Sequence, residues 1–103
     1  MTKINYQRTE LGFVINADGH AGYAKIGQDI VCAGVSVLLQ TLAYRVMEIT
    51  PDYKLEISTG HFYLKADSKD ALESFNTVLL GLEMLENEYP NHVQVYAGGC
   101  PIF

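Results

Sequence analysis

Between Ile30 and Val46 the chain offers almost no polar face. Val31, Val35, Val37, Leu38, Leu39, Leu42 and Ala43 follow closely on one another, with Cys32, Gly34 and Ser36 among them. A helix this apolar is expected to be buried on most sides, within its own domain or at a subunit interface. In a chain of 103 residues that demand leaves few architectures, and the length fits one domain spanning residues 1–103. Asp29 stands just before the run and is a favoured N-cap residue, so the helix is expected to begin there. Thr50-Pro51 ends it, because proline restrains the residue before it.

The remaining segments read as cover for this helix. Ile4 and Tyr6 alternate with polar neighbours, and so do Leu11, Phe13, Ile15 and Ala17, with Thr9-Glu10 as a hairpin turn between them. Tyr53, Leu55 and Ile57 alternate with Lys54, Glu56 and Ser58. Thr59-Gly60 then turns the chain into Phe62, Leu64 and Ala66. Ala71, Phe75, Val78, Leu82 and Leu85 have helical spacing, and Asp70 with Glu73 has the form of a capping box. Val93, Val95 and Ala97 form a last strand. The order is β-β-α-β-β-α-β, which predicts an α+β two-layer sandwich: a mixed, mostly antiparallel sheet with two helices on one face. The other face would carry Val14, Tyr63 and Tyr96 among polar residues. Gly98 to Phe103 has no regular pattern.

Composition narrows the function. A formal net charge of -5 argues against direct contact with nucleic acid. The N-terminus lacks a signal-peptide core, and the apolar stretch from Ile30 to Leu39 is too short to span a bilayer. A cytoplasmic protein with no membrane partner is expected, with Cys32 and Cys100 reduced. No Cys/His spacing fits zinc and no glycine-rich phosphate loop occurs, so neither a metal nor a cofactor is expected.

The chemistry concentrates between Asp18 and Ser36. His20 leaves a strand end. A loop with Gly22 and Gly27 follows, then Asp29, then Cys32 at the third helical position if Asp29 is the N-cap. A thiol there lies at the positive end of the helix dipole, where free N–H groups favour a thiolate and can hold an oxyanion. A nearby histidine would supply the base and later the proton for the leaving group. Ser36, one turn on, shares that face. Tyr23 and Lys25 in the loop could touch a substrate, though the sequence does not require it. The residue types alone also allow Cys32 as a small buried hydrophobe, Asp29 as a helix cap only and Ser36 as a packing residue. His61 and His92 read as surface residues, and Cys100 as a tail residue with no helix terminus to activate it.

Gly19-His20-Ala21 followed by Gly27-Gln28-Asp29-Ile30-Val31-Cys32-Ala33-Gly34-Val35-Ser36 resembles the signature of the ribosomal-processing cysteine protease family, Prp. The resemblance extends over the chain and includes Gly60-His61-Phe62; the tail from Gly98 falls outside it. It implies a small cytosolic endopeptidase, commonly a homodimer. Such an enzyme removes the N-terminal extension of a large-subunit ribosomal protein of the L-twenty-seven type, cutting after a short apolar and aromatic segment. It implies that His20 and Cys32 are the catalytic pair. Gly19, Asp29 and Ser36 would be auxiliary or substrate-binding residues, and Ala21 to Gln28 a mobile cover. Two other functions compete with this one. The first is a non-catalytic ribosome-associated binding module, and the second another cysteine hydrolase such as a thioesterase.

Overall fold

The computed structural model describes residues 1–19 and 26–100, with the backbone alone for 26–29. Strands β1 (Thr2–Arg8) and β2 (Phe13–Gly19) form the first hairpin, and helix α1 (Ile26–Ile49) follows. A second hairpin, β3 (Tyr53–Ser58) and β4 (His61–Ala66), leads to a short 3-10 turn at Lys69–Ala71. Helix α2 (Leu72–Glu88) and strand β5 (Val93–Ala97) complete the chain. The five strands form one sheet in the order β3-β4-β2-β1-β5. β5 runs parallel to β1, and the other neighbours are antiparallel. The element order and the two-layer α+β architecture are those expected.

Alternation along the strands separates the two faces of the sheet. Ile4, Phe13, Ile15, Ala17, Phe62 and Leu64 point to the helix layer and are buried with Val31, Val35, Leu42 and Val46 of α1 and Phe75 and Leu82 of α2. Phe13 stacks on Phe75 with ring centroids 4.5 Å apart. At the end of α1 the Thr50 hydroxyl accepts the Asp52 N–H at 3.0 Å, so the turn at Pro51 is fixed by a side chain as well as by the proline ring.

Four expectations are corrected. α1 opens at Ile26, three residues before Asp29. Asp29 is therefore not the N-cap, and Cys32 is the seventh helical residue rather than the third. Within its own domain α1 is not buried on most sides: Val37 is 64% and Tyr44 69% exposed, because the sheet and α2 cover one stripe only. By length and mean hydropathy alone, Ile30–Ile49 is long and apolar enough to cross a membrane, but its buried stripe forms the core of this domain. The Asp70–Glu73 capping box does not form. Asp70 lies in the 3-10 turn, and α2 begins after Ala71 without a side-chain cap bond. Leu11 lies in the turn and is exposed. A Cβ at the next residue, Gly12, would come within 2.0 Å of the Ala66 carbonyl oxygen, so the chain passes β4 too closely there for any other residue.

The outer face of the sheet is not simply solvated. Val14, Tyr63, Asn5 and Asn16 are all buried there. Beyond β5 the chain turns at Gly98 and Gly99, both with positive φ. The Gly98 N–H donates to the Tyr6 carbonyl at 2.7 Å, and the Asn5 amide donates to the Gly98 carbonyl at 3.2 Å. The tail thus lies on the domain as far as Cys100, and residues 101–103 lie outside the described part.

Candidate active site

A single stripe of α1 shapes the site. Cys32, Val35, Ser36, Leu39 and Gln40 follow the i, i+3, i+4, i+7, i+8 spacing that keeps side chains on one helical face. All five line a cleft of about 400 Å³, within the range of small-ligand and peptide-residue sites. The facing wall is built from the end of β2 (Ala17, Asp18, Gly19), the β3–β4 turn from Ile57 to Phe62, and Thr2. The Gly19 N–H donates to the Gly60 carbonyl at 3.0 Å and locks that turn to the end of β2.

Gly19 is required by the backbone. Its φ is +153°, and a Cβ would stand 2.4 Å from the Met1 carbonyl oxygen. The residue before His20 is therefore a glycine because β1 crosses it closely, in the register Thr2 against Gly19. Ser36 Oγ accepts the Gln40 side-chain N–H at 2.7 Å and keeps its own O–H for a group in the cleft. Cys32 is half-buried.

The cleft thus brings together Cys32, Ser36 and Gly19. His20 lies outside the described residues, as do Tyr23, Lys25 and the side chain of Asp29; of the segment expected to be a mobile cover, Ala21 to Gln28, the part from Ile26 is the start of α1. The helix-terminus argument for Cys32 changes with the start of α1. Dipole stabilisation is confined to the first turn, and the Cys32 N–H lies in the helix interior. It is not one of the free N–H groups expected to hold an oxyanion.

His61 is also corrected. It lines the cleft with Cys32 instead of standing apart as a surface residue. The register that pairs Asp18 with His61 brings their side chains to 2.6 Å, Asp18 Oδ1 to His61 Nδ1. The Asn16 amide donates to the other Asp18 oxygen at 2.7 Å. The His61 hydrogen bond holds the Asp18 carboxyl below its ordinary value; partial burial opposes this, and the Asn16 hydrogen bond assists. Sequence reading missed this pair because strand register sets it, while the two residues are 43 positions apart. Cys100 is not among the residues lining the cleft. Burial pushes its thiol pKa up, with an Asn16 backbone hydrogen bond pulling the other way.

Comparisons with known proteins agree with one another. The family described as cysteine protease Prp matches residues 1–94. A protein of Staphylococcus aureus named ribosomal processing cysteine protease Prp is 31% identical over 84 residues, 76% of this chain and 79% of that one. A protein of the same name from Mycoplasma genitalium is 29% identical over 102 residues, covering 92% and 94%. The crystal structure of the S. aureus ribosomal processing protease Prp with a substrate peptide superimposes with a TM-score of 0.82 at 24% identity, over 95% of this chain and all of that one. The same enzyme with a covalently linked product peptide gives a TM-score of 0.81 at 24% identity, with the same coverage. At that identity the superpositions establish the fold.

Proposed function

Because the chain belongs to the cysteine protease Prp family, and is thereby a cysteine protease, we propose that it removes the N-terminal extension of a large-subunit ribosomal protein of the L-twenty-seven type. Cys32 is the nucleophile and His20 the general base and acid. The observation that carries this reading is the placement of Cys32 on the cleft-lining stripe of α1, opposite Gly19, the residue that leads directly into His20. The named relatives are ribosomal processing cysteine proteases, and the enzyme of similar fold has been seen with substrate and product peptides.

In the proposed reaction His20 takes the Cys32 proton and the thiolate attacks the scissile carbonyl carbon. The tetrahedral intermediate collapses as His20 returns the proton to the departing amine, which leaves a thioester on Cys32. Water, deprotonated by His20, then attacks the thioester, and the thiol is regenerated. Ser36 contributes its O–H to the substrate within the cleft, and Asp29 acts from the first turn of α1. The reaction uses no metal or cofactor, and its compartment is the cytoplasm, where ribosomes mature.

We further propose a homodimer. Ile30, Val37 and Tyr44 recur every seven residues along α1 and are exposed, as are Leu80 and Met84 on α2. Neighbouring residues on both helices line an apolar groove between them. A second copy that covers this helix layer would bury the faces of α1 that its own domain leaves open.

Intact-mass spectrometry of the precursor ribosomal protein tests the function directly. Incubation with the wild-type enzyme should remove the N-terminal segment, and Cys32→Ala and His20→Ala should leave it in place. Cleavage that survives Cys32→Ala overturns the site assignment. No cleavage by any form overturns the substrate.

A further inference from the structure

The proposed Cys32–His20 chemistry assigns no role to the Asp18–His61 pair, yet the pair is held by several hydrogen bonds. It stands at the end of β2 and the start of β4, among the residues that line the cleft. Behind it runs a chain of polar side chains. The Asn16 amide donates one hydrogen to Asp18 Oδ2 at 2.7 Å and the other to Asn5 Oδ1 at 3.2 Å. The Asn5 amide in turn donates to the Gly98 carbonyl at 3.2 Å. Asn5 and Asn16 are only 6% and 7% exposed. Buried amides destabilise a fold unless they are paired; here the Asn16 amide holds the Asp18 carboxylate, the Asn5 carbonyl holds Asn16, and the Asn5 amide anchors the row to Gly98. A carboxylate placed only for solubility needs no such support.

The chemistry of the ring follows from its partner. An anionic carboxylate only accepts hydrogen bonds, so the His61 Nδ1 carries the proton that it shares with Asp18. In the neutral ring Nε2 is then the acceptor, and its complement is a donor such as a peptide N–H. The same carboxylate contact prevents the ring from flipping.

We propose that His61 is a substrate-contacting residue of the cleft, whose Nε2 accepts a main-chain N–H of the bound peptide, and that Asp18, Asn16 and Asn5 are positioning residues that hold its ring. This deepens the proteolytic reading and rests on it for the peptide, but the binding function can be measured without turnover. Asparagine at this position can retain the Asp18 contact while lacking any atom where Nε2 stands. Glutamine places an amide near the Nε2 position.

The test uses a synthetic peptide spanning the end of the ribosomal protein extension, titrated calorimetrically into Cys32→Ala protein. Adding His61→Asn should weaken binding roughly three- to tenfold, the range of one hydrogen bond. His61→Gln should recover most of the affinity. Asp18→Ala should weaken binding similarly, with little further loss when it is combined with His61→Asn, since both act through one ring. With Cys32 restored, His61→Asn should raise KM by the same factor and leave kcat unchanged. Circular dichroism spectra that match the wild type for the His61 variants check that the fold is intact. Equal affinities for histidine, asparagine and glutamine overturn the proposal, and so does a loss confined to kcat. No peptide binding by the Cys32→Ala protein overturns it as well. Peptide binding that depends on His61 without wild-type cleavage supports it and removes the protease substrate instead. Cleavage with binding indifferent to His61 removes this inference alone.

Discussion

The two cysteines of this chain differ in what surrounds the sulfur. Cys32 lies on the wall of an open cleft. Cys100 lies against Asn16, where burial raises its pKa. Iodoacetamide at neutral pH should therefore label Cys32 first, with Cys100 reacting only as the pH rises; peptide mapping of the alkylated protein reads the order. Cys32→Ala should lower kcat/KM by roughly three orders of magnitude or more, and Cys100→Ala should leave it unchanged. Equal losses would mean that the tail cysteine takes part in the chemistry. Asp18 sets a pH dependence at the same scale. Its folded-state pKa lies below the ordinary carboxylate value, chiefly through the His61 hydrogen bond. Its contribution to stability is therefore complete above the ordinary carboxylate range and is lost as the pH falls through the lowered value. Asp18→Asn should melt below wild type at pH 7, and the gap should close under acid conditions. A gap that widens in acid would reverse the sign of the assignment.

At the scale of elements, α1 carries the fold and one wall of the site together. Leu42 is fully buried beneath it, so Leu42→Ala should cost about 2–5 kcal/mol by urea unfolding. Val37→Ala on the exposed face should cost far less in the monomer. The strands were legible because each side of the sheet writes its own alternation into the sequence. The start of α1 was not legible, and the reason is physical. Aspartate is favoured both as an N-cap and anywhere in the first turn, where it meets the same positive dipole. Asp29 therefore marks a helix beginning without fixing which residue is first. Asp70 misled in the same way from within the Lys69–Ala71 turn. Leu11 continued an alternating pattern that a close backbone contact at Gly12 interrupts, and nothing in a single sequence shows that contact. The Cys32–Ser36 side of the cleft follows from helical spacing. The Asp18–His61 side depends on which strands become neighbours and in what register, so it emerges only when the sheet is assembled.

At the scale of the whole molecule, the exposed apolar stripes of α1 and α2 and the net charge make separate demands. If the helix layer is the dimer face, light scattering at micromolar concentration should give twice the chain mass, and Met84→Glu should shift it toward the monomer. A monomeric wild-type mass removes the dimer. The charge bears on the substrate. The chain has 12 acidic and 7 basic residues, a net charge of -5, and ribosomal proteins are basic. Opposite charges at long range speed encounter, and salt screens them over a Debye length of about 8 Å at physiological ionic strength. The thiol chemistry itself should respond little to salt. Raising sodium chloride from roughly 0.05 to 0.5 M should therefore lower kcat/KM for the precursor protein while leaving kcat nearly unchanged. A short neutral peptide with the same cleavage point should show no such loss. The comparison of the two substrates is decisive: equal salt slopes would place the effect on the enzyme's own stability, and a flat slope for the precursor would mean that the acidic surface has no part in its capture.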